Sequence, residues 1–437
     1  MKKLLLTLAL TALPLPAVAD LPPPVTDADY LPVDMEEAKL GQLLFWDPIL
    51  SGNRNISCGT CHHPRFGTGD GVSLSFGEGG VGLGPERRID PENAPEQRIP
   101  RNAPALFNLG AREFTVMFHD GRLEADPNRP SGLRTPLEDE MVMGFDNVLS
   151  AQTMFPVLSS DEMAGHYSEN EVAQAVRQGR LTGEGGAWDL IAARVAAIPE
   201  YADRFAQIEP DIAAGRAIHF TDISNAIAAF IAHEWRSDTS RFDAALRGTP
   251  LTGAAAEGAA LFYGPAGCAE CHSGPFLTDH AFHAMGDPQI GPGKADRFES
   301  HSQDTGRMRV TGRAEDAYAF RTPSLRNVTK TGPWGHAGAI SDLRLYLQHH
   351  TSGTALSAYD PAQAVFPAGD VPKPDFTLLT DAEETAAIAR ATRPATPLTE
   401  AEVTALLAFL SSLEDQAAIN GRFGIPHTVP SGLPVDR

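Results

Sequence analysis

The sequence predicts a mainly α-helical fold of two related domains, connected and covered by long irregular loops. Apolar residues recur at helical spacing in several stretches, whereas the alternating patterns that are typical of strands are sparse. The chain has 437 residues, of which 42% are hydrophobic, so it is long enough for more than one apolar core. Its 40 glycines and 35 prolines interrupt regular structure and account for the long loops.

Two helices are predicted in the first domain. A short helix spans Met35 to Phe45, and a long amphipathic helix starts at Asp222 and ends near Ser237. One side of the long helix is apolar and carries Ile223, Ile227, Phe230 and Ile231. The stretch from Arg236 to Thr252 follows this helix and is predicted to cross to the second domain.

Three helices are predicted in the second domain. The first is short and spans Ala254 to Tyr263. Nearer the C-terminus, Thr399 and Glu402 form a capping box in front of another helix. The apolar positions of that helix are Val403, Leu406, Leu407, Leu410 and Leu413. Thr380 and Glu383 form a second capping box, which starts the helix before it.

Similar pentapeptides come before two pairs of cysteines. Gly41-Gln42-Leu43-Leu44-Phe45 precedes the first pair, and Gly258-Ala259-Ala260-Leu261-Phe262 precedes the second. In both, a Leu and a Phe at the end of a short helix are placed to pack on the group that the cysteines hold. A repeat at this scale predicts two related domains, 20–240 and 251–425.

All four cysteines belong to two Cys-x-x-Cys-His motifs. Two thiols three residues apart can each form a thioether to one vinyl group of a haem, and the adjacent histidine then reaches the iron as proximal ligand. The motifs therefore predict two covalently bound haems c, held by Cys58, Cys61 and His62 and by Cys268, Cys271 and His272. Two cytochrome c-like haem domains on one chain predict redox chemistry.

Three other uses of cysteine pairs explain less of this pattern. A thioredoxin-like dithiol sits near a βαβ pattern and needs no histidine after it. A zinc site shared by both pairs requires ligands much closer in sequence than Cys61 and Cys268 are. Two disulfides suit an exported chain, but they leave the repeated histidine without a role.

The N-terminus is typical of a secretory signal peptide, predicted as residues 1–19. Lys2 and Lys3 precede an apolar run from Leu4 to Val18, and cleavage is expected between Ala19 and Asp20. This run is too short for a membrane span, and no later stretch reaches its length without charges. We therefore expect an exported protein of a bacterial periplasm, without a membrane span. The alternative is that the N-terminal segment stays uncleaved as an anchor.

The formal charge of −21 constrains the partners. Nucleic acid and anionic membrane surfaces are disfavoured, because both carry the same sign of charge. A basic electron-donor protein suits such a surface. The alternative is that the acidic residues only keep an exported protein soluble.

Around the two motifs, the sequence resembles the bacterial di-haem cytochrome c peroxidases and MauG, which form one family. The resemblance covers most of the chain after residue 19. Its pieces are weak one by one, but their order around two haem motifs is specific. They are Leu44-Phe45-Trp46-Asp47-Pro48, Leu50-Ser51-Gly52-Asn53, Ile56-Ser57-Cys58, Arg101-Asn102-Ala103-Pro104, Asp120-Gly121-Arg122, Asp304-Thr305-Gly306-Arg307, Thr322-Pro323-Ser324-Leu325-Arg326-Asn327 and Gly332-Pro333-Trp334-Gly335-His336-Ala337-Gly338.

The resemblance implies an open iron position above the first haem, covered by a Gln, a Pro four residues later and a Glu ten residues later. Gln152, Pro156 and Glu162 keep this spacing. Heterolysis of peroxide needs a base that takes a proton from one oxygen and delivers it to the other, which a buried carboxylate can do. The resemblance thus implies Glu162 as acid/base, with Gln152 and Pro156 shaping the pocket. The alternative for Glu162 is a helix N-terminal carboxylate after Ser159 and Ser160.

For the second haem, the resemblance places the distal ligand seventeen residues after Pro333. Peroxidases of the family usually have Met there and MauG has Tyr, whereas this chain has His350. Coordination by His272 and His350 is therefore expected, with His349 as the alternative if the register slips by one. A surface histidine beside a vacant site is the other interpretation. Imidazole favours Fe(III) more than a thioether does, so this haem is expected to be harder to reduce.

Two further positions concern the space between the haems. Family members commonly have Trp just before the Asp-Gly-Arg motif, whereas this chain has His119, and Trp334 is another candidate for carrying electrons. The family also binds one calcium ion between its domains. The resemblance implies the side chain of Asn102 and the backbone carbonyls of Thr331 and Pro333 as ligands, and oxygen ligands suit this cation. The alternative is that Asn102 only caps a turn.

Three arginines are candidate partners of the haem propionates: Arg307, Arg321 and Arg326. A guanidinium group matches a carboxylate with two parallel hydrogen bonds. The alternative is that these are ordinary surface arginines.

These observations predict an exported di-haem c enzyme that reduces hydrogen peroxide by two electrons at the first haem. The electrons come from another protein through the second haem. The donor is a small cytochrome c or a cupredoxin. Alternatively, as with MauG, it is a Trp or Tyr of a protein substrate, which is thereby modified. A non-catalytic di-haem electron carrier is the rival from another class. Related peroxidases commonly dimerise, so a homodimer is a further expectation.

Overall fold

A computed structural model describes residues 21–294, 303–353, 355–367, 373–394 and 396–437. The predicted signal peptide, residues 1–19, lies outside these ranges. The described residues are mainly helical, with a few very short strands and long connections, as the sequence predicts. None of the helices in these ranges is long and apolar enough to cross a membrane.

The first domain and the crossover contain nine α-helices within the described residues. They are α1 (Met35–Trp46), α2 (Cys58–Cys61), α3 (Val148–Thr153), α4 (Glu171–Arg177), α5 (Ala187–Ala196), α6 (Pro199–Ile208), α7 (Pro210–Ala213), α8 (Phe220–Glu234) and α9 (Arg241–Leu246). The second domain contributes α10 (Ala254–Phe262), α11 (Met308–Thr311), α12 (Leu343–Ser352), α13 (Ala382–Ala391), α14 (Glu400–Ser411) and α15 (Gln416–Asn420).

The strands form three small antiparallel sheets. Their order is β1 (Gly80–Val81) with β2 (Arg88–Ile89), then β3 (Val116–Met117), β4 (Leu123–Ala125) and β5 (Leu133–Arg134), then β6 (Phe282–His283) with β7 (Phe320–Arg321). Strands of two or three residues hold loops together and do not build a core.

In the first domain, α1 packs against α8 where a glycine allows the two backbones to touch. A Cβ added at Gly41 would lie 1.8 Å from the carbonyl oxygen of Ala226 and 2.9 Å from the Cβ of Phe230. Phe230 and the predicted apolar side of α8 are buried in the main core. The long helix predicted from Asp222 therefore exists, and it begins at Phe220.

The same arrangement recurs in the second domain between α10 and α14. A Cβ added at Gly258 would lie 1.9 Å from the carbonyl oxygen of Ala405 and 2.8 Å from the Cβ of Phe409. Phe409 is fully buried, and so are most of the apolar positions predicted for α14. The repeat seen in the sequence is thus a repeat of helix packing, and the pentapeptides supply its contact glycines.

Gly258→Ala is expected to destabilise the second domain by about 2 kcal/mol or more, because the added methyl group meets backbone atoms that cannot move aside. In an exposed helix the same change stabilises by about 1 kcal/mol. The sign of the change in denaturant midpoint of the haem-loaded protein therefore distinguishes the two cases. Ala260→Gly, on an exposed position of the same helix, controls for helix propensity. An unchanged or raised midpoint for Gly258→Ala would contradict the packing argument.

Of the two predicted capping boxes, one is confirmed and one is wrong. The Thr399 side chain accepts from the backbone N–H of Glu402, and the Glu402 side chain accepts from Thr399 in return. At the start of α13, Asp381 is the cap, and its carboxylate accepts from two backbone N–H groups. Thr380 instead donates to the carbonyl oxygen of Thr377, because it belongs to the preceding turn. The carboxylate next to it is the stronger acceptor.

The C-terminal tail returns to the first domain. Gln42 donates to the carbonyl oxygen of Gly424 at 2.8 Å, and Ser431 donates to the carboxylate of Asp47 at 2.6 Å. At the far end, Thr60 of the first haem motif donates to Asp436 at 2.5 Å. The tail beyond residue 425 therefore covers the first haem motif, although it follows the second domain in the chain.

Candidate active site

The first motif presents its histidine in the form that a haem requires. Cys58 and Cys61 lie on α2, and His62 follows at its end. The Nδ1 atom of His62 lies 2.9 Å from the carbonyl oxygen of Thr68. A carbonyl can only accept, so Nδ1 carries the proton and Nε2 is left for a metal. Burial lowers the pKa of His62, which keeps the ring neutral.

The second motif repeats this arrangement. Cys268 starts a 3₁₀ turn that ends at Glu270, and the Nδ1 atom of His272 lies 3.2 Å from the carbonyl oxygen of Leu277. Burial, with the neighbouring His350, lowers the pKa of His272 to about 4. Both motifs thus hold a neutral imidazole with Nε2 free, which fits a haem iron.

The cysteine pairs do not fit the alternatives to haem attachment. All four cysteines are unpaired by disulfides. Among the described residues, the grouping of metal-ligating side chains that lies together is Cys271, Asp279 and His283, which contains one cysteine. Neither a disulfide pair nor a site with four cysteines is therefore formed.

One cavity brings the first motif together with the residues that the family spacing singled out. Its walls include Cys58, Cys61 and His62 on one side and Gln152, Pro156 and Glu162 on the other. Many of the other lining residues are apolar or basic, among them Phe45, Phe118, Leu149, Met163, Ile227, Ile231, Arg122, Arg321 and Lys294, and Asp70 also lines the cavity. A flat apolar group with acidic edges, such as haem, suits these walls.

Local structure aims each predicted residue at this cavity. Gln152 lies in the last turn of α3, and its buried Oε1 atom has no hydrogen-bond partner. Pro156 starts a 3₁₀ turn. Glu162 sits on a π-helical turn, Ser160–Ala164, an irregular geometry that occurs frequently at functional sites. The Ser159 side chain caps this turn and accepts from the backbone N–H of Glu162, so Glu162 also lies in the first turn of a helical segment, as its alternative interpretation requires.

Glu162 and its neighbour Asp161 face different surroundings. Asp161 accepts a hydrogen bond from Gln97 at 2.6 Å and does not line the cavity. Glu162 lines it, and burial raises the pKa of its carboxyl, while the charges of Lys294 and Arg122 oppose the rise. A carboxyl whose pKa is raised toward neutrality can both take up and release a proton in such a site.

Lys294 is a cavity residue that sequence reasoning missed. It comes from the second domain, yet it lines the cavity of the first motif near Glu162. Burial lowers the pKa of its ammonium group, and no hydrogen bond or salt bridge joins it to the described residues. No motif surrounds it in sequence, so only the tertiary structure reveals it.

Lys294→Met is expected to shift the pH dependence of the peroxide reaction to higher pH. Glu162 acts as a base only when ionised, so the rate rises with pH through its pKa. The Lys294 charge lowers that pKa, and its removal therefore moves the rise upward. Stopped-flow rates across a pH series measure this, with Lys294→Arg as the charge-preserving control. A profile that stays in place or moves to lower pH would show that Lys294 does not act on Glu162.

Beside the second motif, His350 faces His272. Their ring centroids are 6.4 Å apart, and the Nδ1 atom of His350 is buried without a partner. Two imidazoles that bind one metal from opposite sides, at about 2 Å each, have ring centres roughly 6 Å apart. His349 instead places its Nε2 atom 3.0 Å from the carbonyl oxygen of Gly286. The geometry thus favours His350 over His349 as the ligand.

The space between the two haem sites is bridged by bonded peptides and side chains. His119 lines the first cavity, and its Nε2 atom lies 3.1 Å from the carbonyl oxygen of Asn102. The backbone N–H of Asn102 donates to the carbonyl oxygen of His336 at 2.9 Å. The ring of His336 stacks on Phe320 with centroids 4.0 Å apart. Trp334 lies on the side of His350, because its ring is next to Tyr346.

The three candidate propionate partners differ. Arg326 is fully buried and pairs with Asp243 at 2.6 Å, and Arg307 pairs with Glu124 at 2.8 Å. Both are therefore engaged in the protein. Arg321 lines the first cavity, donates only to backbone carbonyls, and has no carboxylate partner among the described residues. Burial lowers its pKa to about 10, so an anion in the cavity would stabilise it.

The residues implied for calcium lie around Gly338. The amide nitrogen of Asn102 donates to the carbonyl oxygen of Val72 at 2.7 Å, which leaves Oδ1 as the atom available to a cation. A Cβ at Gly338 would lie 2.4 Å from the Asn102 nitrogen and 3.0 Å from the ring of Pro333. This glycine lets Asn102 approach Pro333, two residues after Thr331. The atom that Asn102 leaves available is thus an oxygen, the donor type that calcium prefers.

The two motifs also differ in their exposure. Gly59 and Thr60 of the first motif are buried, partly under the C-terminal tail, whereas Glu270 of the second motif is exposed. The exposed Glu270 pairs with Arg393 at 2.6 Å at the surface. A protein partner can therefore approach the second motif more closely than the first.

Comparison with known proteins agrees with these features. A family model described as di-haem cytochrome c peroxidase matches residues 35–250. The methylamine utilization protein MauG of Methylorubrum extorquens is 29% identical over 326 residues, covering 74% of this chain and 70% of the relative. The cytochrome c551 peroxidase of Pseudomonas aeruginosa is 29% identical over 326 residues, covering 74% of each.

Solved structures give the same result for the fold. A MauG-like protein associated with microbial copper homeostasis is 26% identical, with a TM-score of 0.56, covering 93% of this chain and 96% of that one. A di-haem peroxidase from Burkholderia thailandensis is 21% identical, with a TM-score of 0.54, covering 93% and 95%. The mainly α fold is thus confirmed over nearly the whole length.

Proposed function

This chain belongs to the di-haem cytochrome c peroxidase family, and we propose on that premise that it reduces hydrogen peroxide at its first haem with electrons that enter through its second. The observation that carries the proposal is the inequality of the two sites. The first motif faces a cavity with Gln152, Pro156 and Glu162, whereas the second faces His350. An open site suits a reacting molecule, and a closed one suits electron transfer.

The cofactors are two haems c, which supply the iron that binds peroxide and the capacity to pass electrons. The protein supplies proton handling and orientation. Glu162 would take a proton from one oxygen of a peroxide in the cavity and return it to the other oxygen, which would leave as water. Gln152 directs its free Oε1 atom into the cavity and orients the peroxide. Pro156 contributes no N–H group and keeps its side of the pocket apolar.

Electron entry is assigned to the second haem because its motif is the exposed one. His272 and His350 would both hold the iron of this haem, which would then offer no position for peroxide. From there, His336 and the peptide of Asn102 lead to His119 in the first cavity. Electron transfer along this path does not require the tryptophan that family members commonly have in place of His119.

A MauG-like reaction is the second candidate, and His350 is the observation that favours it. Imidazole stabilises Fe(III) relative to a thioether, so a second haem with His350 accepts electrons less readily from a high-potential donor. A second haem with His350 also tolerates oxidation beyond Fe(III) better than one with a thioether ligand. In this reaction the electrons come from a Trp or Tyr of a partner protein. A non-catalytic carrier, the third candidate, is disfavoured by Gln152, Pro156 and Glu162, which line the cavity of the first motif and suit a reacting molecule.

Turnover experiments separate these candidates. Sustained peroxide consumption with a reduced small cytochrome c or cupredoxin supports the peroxidase. A lasting mass change in a partner protein, without such turnover, supports the MauG-like reaction. If neither occurs and peroxide leaves both haem spectra unchanged, both enzymatic proposals are wrong and the carrier remains.

We further propose export to a bacterial periplasm, on the basis of residues 1–19, and one calcium ion held by Asn102 with the carbonyls of Thr331 and Pro333. Asn102 also sits on the path between the haems. Calcium removal is therefore expected to slow electron transfer between the haems while leaving both attached. The check is stopped-flow reduction after chelation, followed by calcium addition. If the rate of electron transfer between the haems changed neither on chelation nor on calcium addition, the result would argue against a bound calcium ion.

A further inference from the structure

A tyrosine and an aspartate lie beside the second haem site and have no part in the proposed function. Tyr346 is on α12, one turn before His350, and their ring centroids are 5.7 Å apart at an angle of 33°. The side chains of Tyr346 and Asp287 meet beside Gly335, where an added Cβ would lie 3.5 Å from Oδ2 of Asp287 and 3.7 Å from Cε2 of Tyr346. Burial, together with the charge of Asp287, raises the pKa of the Tyr346 hydroxyl. The ring of Trp334 is next, 6.5 Å from Tyr346. The rings of His350, Tyr346 and Trp334 thus follow one another beside the second haem site.

Asp287 is placed to take up a proton. It comes from a different segment, and its side chain is mostly buried. One of its oxygens, Oδ1, has no hydrogen-bond partner. The Nδ1 atom of His336, itself without a hydrogen-bond partner, lies 4.0 Å from the other oxygen. The carboxylate of Asp287 therefore has an oxygen that is free to accept a proton, close to the phenol of Tyr346.

We propose that Tyr346 is a redox-active residue that gives one electron to the second haem when the enzyme reacts with peroxide in the absence of a donor, with Asp287 as the acceptor of its proton. This inference rests on the proposed function, because peroxide is the oxidant. It adds a storage site for one oxidising equivalent within the protein.

The step balances. Reduction of one hydrogen peroxide to two waters takes two electrons, and two protons that come from solvent. Tyr346 supplies one electron, which passes through His350 to the second haem, and the iron of that haem supplies the other as it goes from Fe(III) to Fe(IV). The O–H bond of Tyr346 breaks, its proton moves to the Asp287 carboxylate, and a neutral phenoxyl radical remains. A phenol needs such an acceptor, since its oxidised form is a strong acid.

Another partly buried tyrosine, Tyr359, lacks this environment and serves as the matched control. Tyr359 donates to the backbone carbonyl of Ala339 at 2.6 Å. A carbonyl oxygen accepts a hydrogen bond but does not retain a proton. Tyr359→Phe should therefore leave any radical unchanged.

The experiment mixes haem-loaded protein with hydrogen peroxide, freezes it and records EPR spectra. Protein labelled with ring-deuterated tyrosine identifies a tyrosyl signal by its narrower hyperfine structure. The signal should be present in the wild type and in Tyr359→Phe, absent in Tyr346→Phe, and weaker in Asp287→Asn. The low-spin signal of the second haem reports that each variant keeps its ligands.

An undiminished tyrosyl signal in Tyr346→Phe would overturn the assignment. If Tyr346→Phe loses its haem, Asp287→Asn decides: a signal equal to that of the wild type would remove Asp287 and its tyrosine from the mechanism. Peroxide that changes the haem spectra of the wild type without any tyrosyl signal overturns this inference alone. Peroxide that changes nothing overturns the proposed function as well.

Discussion

Glu162→Gln is expected to slow the reaction with hydrogen peroxide by about 10²- to 10⁴-fold, the usual contribution of a general acid–base catalyst. Glutamine has nearly the same shape, but it cannot take a proton from peroxide. Neither haem motif involves this side chain, so both haems should remain attached. Stopped-flow mixing with peroxide, followed at the haem absorbance, measures the rate directly.

Asp161→Asn is the matched control, because Asp161 is the adjacent carboxylate on the same π-helical turn. It binds Gln97 and does not line the cavity. Its replacement should leave the rate within a few-fold of the wild type. If both variants reacted alike, or if Glu162→Gln reacted at the wild-type rate, another group would handle the proton.

His350→Met is expected to raise the reduction potential of the second haem, on the order of 0.1 V, because a thioether favours Fe(II) and imidazole favours Fe(III). The iron should stay six-coordinate and low-spin, since the ligand is exchanged and not removed. A spectroelectrochemical titration resolves the two haems and gives the shift.

His349→Met provides the comparison for this experiment. His349 is bonded to the carbonyl of Gly286, and its replacement should leave the potential unchanged. The opposite pattern, with a shift for His349→Met and none for His350→Met, would transfer the ligand role to His349.

The parts of the site that sequence reasoning found are those with short-range patterns. Cys58 to His62 and Cys268 to His272 are complete within five residues each, and thioether geometry requires that spacing. The next set lies within eleven residues and consists of Gln152, Pro156 and Glu162. Because its spacing is the same as in the family, the resemblance was enough to find these residues in this sequence. The contact glycines Gly41 and Gly258 each begin one of the repeated pentapeptides. The sequence therefore shows that they are equivalent, although it does not show which helices they contact.

What remained hidden depends on contacts between distant segments. Lys294 reaches the first cavity from the other domain, and Tyr346 meets Asp287 only after folding. The C-terminal tail gave no sign that it covers the first motif. In the sequence, Arg326 is as good a candidate for a propionate partner as Arg321. In the structure, however, Arg326 is paired with the buried carboxylate of Asp243.

The proposed function requires that the two haems have unequal coordination, one with an open iron position and one with both positions filled. The EPR spectrum of the oxidised protein distinguishes these two states. We expect one high-spin haem, with His62 as its only protein ligand, and one low-spin haem bound by His272 and His350. Two low-spin haems would rule out the proposed function, because no iron would then be open to peroxide.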